Sequence, residues 1–202
     1  MTRFADYKTF RLAILPAALL SGIQAAHATN GDQMLGVTAT QWGMAGAVVA
    51  APQDAGTALT NPAGLATLGI EEVRFDLGFG MLNPPRSVTQ NGVNYESESN
   101  AYLMPAGGAA FKIDDALYFG MGMGGVSGSG VDFADTAPGA GSQAIVTTKQ
   151  FYKIAPGFAY KVGERLSLGA SLNIDFQSLA MYTPAYQFPQ NQVYGYGFSA
   201  GA

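Results

Sequence analysis

Cysteine is absent from the 202 residues, which excludes disulfides, thiol catalysis and Cys-ligated metals or clusters. Histidine is nearly absent, His27 being the single copy. Charge is sparse too: Asp, Glu, Lys and Arg make up 12% of the chain, about half the share usual in soluble domains. Beyond the N-terminus no apolar run approaches the roughly 18 residues of a helical membrane span. What is present is glycine (27 residues), aromatic side chains (11%) and a hydrophobic total of 48%. The glycines keep no period of three, so a collagen-like chain is excluded. So much apolar and aromatic surface needs burial, which argues against disorder.

Residues 1–28 have the layout of a secretory signal peptide. Arg3, Lys8 and Arg11 form a basic start, and the apolar run Leu12–Leu20 follows. Ala26-His27-Ala28 supplies the small-x-small cleavage pattern. The run is shorter than the ~20 residues of a transmembrane helix, and Pro16 interrupts it. Cleavage after Ala28 leaves 7 basic and 13 acidic residues, a net charge of −6. That balance offers no electrostatic reason to bind nucleic acid. His27 leaves with the signal. A mature chain without His or Cys has no Ser-His-Asp triad, Cys-His pair or ordinary zinc site. The sequence therefore predicts no enzyme, no metal and no cofactor.

From residue 71 onward the chain alternates with period two. Val73, Phe75, Leu77, Phe79 and Met81 fall on one face, and Glu72, Arg74, Asp76, Gly78 and Gly80 on the other. Leu166, Leu168, Ala170, Leu172, Ile174 and Phe176 alternate with Ser167, Gly169, Ser171, Asn173, Asp175 and Gln177. Strands are also predicted over 102–111, from Leu117 onward and over 148–162, with a sixth beginning at Val193. Ile113-Asp114-Asp115 and Gly163-Glu164-Arg165 read as tight turns, whereas 82–97, 131–145 and 182–192 read as long polar loops. Short turns alternating with long loops are the pattern of an outer-membrane barrel. Aromatics near the strand ends suit its interfacial girdles. A secreted β-sandwich would alternate as well. Its polar face would meet water, however, whereas here that face is mostly Gly, Ser, Ala and Asn. Small residues suit a crowded, partly filled lumen. The fold class expected is all-β, a transmembrane antiparallel β-barrel.

Residues 29–70 differ. They are rich in Ala and Gly, carry only Asp32 and Asp54, and show no strand alternation. With Met34, Leu35, Trp42, Met44 and Leu65 they are too apolar for a flexible leader. A segment placed before the first strand can fold back and fill the lumen as a plug.

The order Gly43-Met44-Ala45-Gly46-Ala47, Asp54-Ala55-Gly56, Asn61-Pro62-Ala63-Gly64-Leu65 and then a first strand resembles a known family. This is the long-chain fatty-acid and aromatic-hydrocarbon transporter (FadL/TodX) family of the Gram-negative outer membrane. Asn-Pro-Ala alone is weak. Its place 33 residues after Ala28 and directly before strand one makes it specific. The resemblance implies a barrel of about 14 strands, closed by an N-terminal hatch. It implies passive, ATP-free passage of fatty acids or hydrocarbons through an apolar pocket and a lateral hole in the wall. Asn61, Pro62 and Ala63 correspond to the hatch motif. An inward kink of the third strand would fall on its glycine-rich part, with Gly125, Gly128 and Gly130 as candidates. Those glycines equally suit the start of the long loop at Val131. Met34, Leu35 and Trp42 are the candidate pocket residues. The implied partners are hydrophobic small molecules, outer-membrane lipid and lipopolysaccharide, and the periplasmic chaperones and barrel-assembly machinery.

The alternatives are a general diffusion porin and an outer-membrane adhesin. A porin calls for charged rings and an open lumen. Few charges (Glu72, Arg74, Asp76, Lys149, Lys153, Asp175) are available for such rings. The long loops suit an adhesin as well. No Gly-x-Ser-x-Gly elbow supports a lipase. About five and a half strands follow Glu72, whereas a closed single-chain barrel needs an even count of at least about 8. The sequence is therefore expected to be the N-terminal fragment of a longer barrel, with 1–28 as signal, 29–70 as hatch and 71–202 as the first strands.

Overall fold

A computed structural model describes residues 33–133, 145–183 and 185–202. The expected signal peptide lies outside the described residues.

The described residues form eight strands: β1 (Val73–Leu82), β2 (Ser87–Gln90), β3 (Val93–Glu96), β4 (Tyr102–Lys112), β5 (Leu117–Asp132), β6 (Val146–Gly163), β7 (Leu166–Thr183) and β8 (Tyr186–Gly201). Six of them form one antiparallel sheet in the order β1-β4-β5-β6-β7-β8. Apart from the β2–β3 excursion it is a simple meander, so each strand pairs with the next. The strands of 16 to 18 residues exceed the ~9–11 needed to cross a bilayer, so they extend beyond it.

Two long loops of the sequence reading prove partly ordered. Residues 82–97 contain the β2–β3 hairpin. Asn91 (φ 51°) and Gly92 (φ 79°) form its two-residue turn, the left-handed pair that a primed turn requires. The expected loop over 182–192 is instead a tight turn at Thr183–Tyr186, and β8 begins seven residues earlier than Val193. Thr183 closes that turn by hydrogen bonds to the amide (3.0 Å) and carbonyl (3.1 Å) of Tyr186. Polar composition had disguised a strand that runs on past the membrane into water.

The β4–β5 and β6–β7 turns are short, as expected, and most of the long loop expected over 131–145 lies outside the described residues. Asp114 accepts from the amides of Ala116 (2.8 Å) and Leu117 (2.7 Å). Asp115 pairs with Lys112 at 2.7 Å, and that hydrogen bond and charge hold its carboxyl below the usual range.

The outer face of the sheet is apolar and open. Leu77 is 75% exposed and Phe198 86%, and Phe79, Leu103, Met123, Phe158, Leu168 and Tyr196 share that face. Such a band on water would be costly, whereas in lipid it is the expected surface. A row of rings crosses four adjacent strands: Phe75–Phe111 (5.9 Å), Phe111–Phe119 (6.2 Å) and Phe119–Phe158 (5.0 Å). It lies at the short-turn end, as the girdle reading expects.

The inner face is covered by residues 33–70. This N-terminal segment contains α1 (Ala39–Gly43), α2 (Thr57–Thr60) and a 3₁₀ helix (Pro62–Thr67). Leu65, Ala55, Ala58 and Ala66 pack on Ala110 of β4, Tyr118 of β5 and Ala159 of β6. The core of the protein is this contact between the segment and the sheet.

Two substitutions test which face meets lipid. Leu77→Arg, at the middle of β1, should lower folding stability in vesicles by about 2–4 kcal/mol, whereas Val73→Arg at the strand end should cost about 0–1. Denaturant unfolding in lipid vesicles reads both, and equal small effects would place this face in water.

Candidate functional site

Glycines of the sheet make room for the segment. A Cβ on Gly80 of β1 would fall within the ring of Trp42. Along β5, one on Gly120 would meet Leu65 at 2.5 Å, one on Gly122 would meet Leu59 at 3.0 Å, and one on Gly124 would collide with Val37. On β7 and β8, Gly169 lies under Pro62 and Ala63, and Gly201 under Asn61. The inward positions are glycine because the segment touches the strand backbone there.

The segment is braced by one carboxylate. Asp54 is buried and accepts from Thr38 Oγ1 (2.5 Å), Gln41 Nε2 (3.3 Å) and the Gly56 amide (3.0 Å). Thr38 also caps α1 through the Gln41 amide (3.2 Å), and Gln41 Oε1 accepts from the Val37 amide (2.9 Å). The start of α1 and the turn before α2 therefore meet on one side chain. A second tie runs to β1: Asp76 accepts from the Ala55 amide (2.9 Å), and Arg74 Nη2 donates to the Gln53 carbonyl (2.7 Å). Arg74 and Asp76 are themselves paired at 2.8 Å.

Asn61, Pro62 and Ala63 form a buried corner. Asn61 Oδ1 accepts from the Ala63 amide (3.2 Å), which starts the 3₁₀ helix, and Pro62 occupies its first position. Asn61 Nδ2 donates to the carbonyls of Val49 (2.8 Å) and Ala202 (3.3 Å). The triplet thus combines a cap, a helix start and a small residue that fits over Gly169. A cavity of about 830 Å³ opens beside this corner, toward the short turns, between Ala63, Gly64 and Thr67 on one side and Lys161, Arg165 and Leu166 on the other.

Met34, Leu35 and Trp42 are not gathered into one enclosed cavity. Trp42 donates Nε1–H to the Gly36 carbonyl (3.0 Å) and lies on β1. Leu35 is 74% exposed. Met34 is half-buried, and its amide donates to the Val126 carbonyl of β5 (3.0 Å). Neither the large cavity nor a second one of about 150 Å³ near Thr38 and Asp76 is lined by them.

The wall is broken at β5. β4 pairs with β5 only from Ala106↔Gly124 to Lys112↔Tyr118. Above that point the β4–β5 ladder stops: β4 continues to Tyr102 paired with β1, β5 continues to Asp132 paired with β6, and the Tyr102 hydroxyl reaches across to the Gly130 carbonyl (2.9 Å). Pro105 stands at the parting, and it has no amide to donate. Across the next residues the β5–β6 register slips between Gly125 and Ser127, so Val126 is the bulged residue. Gly128 and Gly130 pair regularly with Gln150 and Thr148, hence they belong to the strand and not to the loop. Gln33 and Met34 bridge to Ser127 and Val126 along the stretch that β4 leaves unpaired. Val37 of the segment packs there with Ala106 and Val126, and Leu59 and Phe151 cover them.

The sequence reading missed Asp54, Thr38, Gln41, Val126 and Phe151. Asp54 carried a signal, as one of two acids in an otherwise uncharged apolar stretch, where a buried polar group needs hydrogen-bond partners. Val126 carried none, because a bulge depends on the neighbouring strand.

A family model for outer membrane transport proteins, described as "Outer membrane protein transport protein (OMPP1/FadL/TodX)", matches residues 18–198. The chain belongs to this family. Among solved structures it is similar to the toluene transporter TodX of P. putida (23% identity, TM-score 0.48, covering 60% of this chain and 31% of that one). It is also similar to a FadL homologue of Pseudomonas aeruginosa (16% identity, TM-score 0.43, covering 74% of this chain and 43% of that one). The chain therefore spans less than half the length of either. A search of curated proteins gives no significant match.

Removing the brace should loosen the segment and spare the sheet. Asp54→Ala leaves the Thr38 hydroxyl, the Gln41 amide and the Gly56 N–H buried without their acceptor, at about 1–3 kcal/mol per group. Limited proteolysis should then cut within residues 33–70 at least about tenfold faster, while β-sheet circular dichroism is unchanged.

Proposed function

We propose that the chain is part of a passive outer-membrane importer of hydrophobic compounds, such as long-chain fatty acids or aliphatic and aromatic hydrocarbons. The observation that carries this reading is the parting of β4 from β5 above Ala106 and Gly124. On the outer side of that gap lies the lipid-facing band, and on the inner side lie the apolar residues Val37, Val126, Leu59 and Phe151. A hydrophobe that leaves a membrane for water pays about 0.8 kcal/mol per CH₂ exposed. A side exit that opens toward lipid avoids that cost, whereas a water-filled pore does not. In this reading residues 1–28 are a removable signal, residues 29–70 are the hatch, and Asn61, Pro62 and Ala63 fix its lower corner. Gly125, beside the bulge, permits the bend, and Met34 and Trp42 border the entry side of the hatch. The proposed setting is the outer membrane of a Gram-negative bacterium. Lipopolysaccharide, periplasmic chaperones and the barrel-assembly machinery are the proposed partners.

Reconstitution of the full-length protein in liposomes tests the reading. Labelled fatty acid or toluene should enter, and a small sugar should not. Sugar entry without uptake of either hydrophobe would make the protein a diffusion porin. Asn61→Ala and Pro62→Ala should slow uptake by several-fold while the barrel still assembles, and normal uptake in both would remove the role of the corner.

A further inference from the structure

The parting of β4 from β5 has a floor and a roof. The floor is the last rung of their ladder, Ala106↔Gly124. The roof is a set of ties to the outer end of β5. The Tyr102 hydroxyl is 2.9 Å from the Gly130 carbonyl, the Glu98 amide donates to the Asp132 carbonyl (2.9 Å), and the Asp132 amide donates to Ser97 Oγ (2.9 Å). Arg86 secures Tyr102, with its guanidinium 5.2 Å from the ring centre and Nη2 donating to the hydroxyl. Between floor and roof the slot is about 13 Å long, measured along β4 from Ala106 to Tyr102.

One side chain runs into this slot. Met104 shares the inward phase of β4 with Tyr102 and Ala106, and it is 6% exposed. Its methyl lies 2.7 Å, and its sulfur 3.5 Å, from the place that a Cβ on Gly125 would take. On β5 the residues two and four positions before Gly125 are Met123 and Met121, both exposed on the lipid-facing side. Gly125 continues that row but is buried, with the Met104 methyl on it and Tyr152 Cε1 at 3.5 Å from the same place. Met104 thus starts from the inner face of β4 and ends against the outer row of β5. Opening the floor or the roof breaks hydrogen bonds. Turning Met104 about its unbranched stem breaks none.

We propose that Met104 is the shutter of the side exit and sets the cross-section of what passes. The proposal rests on reading the parting as an exit. The space that Met104 vacates is that of a single unbranched chain. A linear alkyl chain fits it, whereas a chain with methyl branches exceeds it. Met104 is therefore a specificity-determining residue that favours linear hydrophobes.

Ser127 reports on the slot, because it is buried on the stretch of β5 that β4 leaves unpaired. None of the 202 residues is cysteine. With any cysteine elsewhere in the full-length protein replaced by serine, Ser127→Cys supplies the single thiol. In proteoliposomes, an N-alkyl maleimide dissolved in the bilayer should label it at least about tenfold faster once Met104→Ala is added. A charged methanethiosulfonate in the water should label both proteins at similar rates, since general loosening of the fold would speed both reagents. Met104→Val removes less apolar contact and repeats the test should the alanine variant fail to assemble. Unchanged maleimide rates, or equal acceleration of both reagents, would overturn the shutter. Uptake of palmitic acid against the methyl-branched phytanic acid reads the selectivity. The preference for palmitic acid should fall from at least about tenfold to below about threefold with Met104→Ala, and an unmoved ratio would overturn the specificity role. Lipid-side labelling that depends on position 104 without import of either acid would refute the transport reading and leave the shutter standing. Import that is indifferent to position 104 would do the reverse.

Discussion

Every backbone amide and carbonyl in the hydrocarbon must find a partner, and the rest of this structure follows from how that demand is met. Between β1 and β4, along the lower half of β4 and β5, and from β5 to β8, the ladders meet it directly. At the parting of β4 and β5 they do not. There the segment itself takes part, as Met34 donates to Val126 and Gln33 bridges to Ser127. The same residues that cover the inner face thus complete the hydrogen bonding of a strand at its bulge. A break in a membrane wall is tolerated because protein, and not lipid, stands behind it.

Glycine links the two layers. Strands usually disfavour it, because it has no side chain to pack. Here the missing side chain is the packing device. Trp42 sits on Gly80, Leu65 on Gly120, Leu59 on Gly122, and Pro62 with Ala63 on Gly169. Each contact brings a segment side chain down to strand backbone. The outer face needs the opposite, large apolar groups against lipid. Alternation therefore became large-out and small-in, which differs from the apolar-in, polar-out rule of a soluble sheet.

That alternation is why so much of the fold was legible. Phe75-Asp76-Leu77-Gly78-Phe79-Gly80 states both faces of β1 and the presence of something packed behind it. The short turns were legible because Asp114 and Glu164-Arg165 are turn residues with local causes. β2, β3 and the start of β8 were not, because beyond the membrane neither face is lipid-exposed and the large-small contrast is lost. At the site, Asn61, Pro62 and Ala63 fell where the motif placed them in the chain, but the brace at Asp54 did not show. Its meaning depends on Thr38 and Gln41, 16 and 13 residues away, which meet it only after folding. Met34, Leu35 and Trp42 were chosen for apolarity alone, and apolarity does not say which surface a residue joins. One of them bonds through its backbone, one is exposed and one covers a glycine.

The sizes of the residues in the core bear on what the segment is able to do. Of those that join the segment to β4, β5 and β6, five are alanines at most 1% exposed, and Leu65 is the one large side chain among them buried completely. Alanine contributes little burial, about one methyl group each, so the contact is shape-matched without being strongly adhesive. A stack of leucines on leucines would hold the segment more tightly and exclude motion on any useful timescale. In the proposed passive device, no ATP or ion gradient pulls the hatch open. The opening then has to be within reach of thermal motion together with the transfer energy of a hydrophobic ligand. Small residues in the seat lower the cost of a partial opening. The chemistry that makes the inner wall look weak for stability is what a gate without an energy source requires.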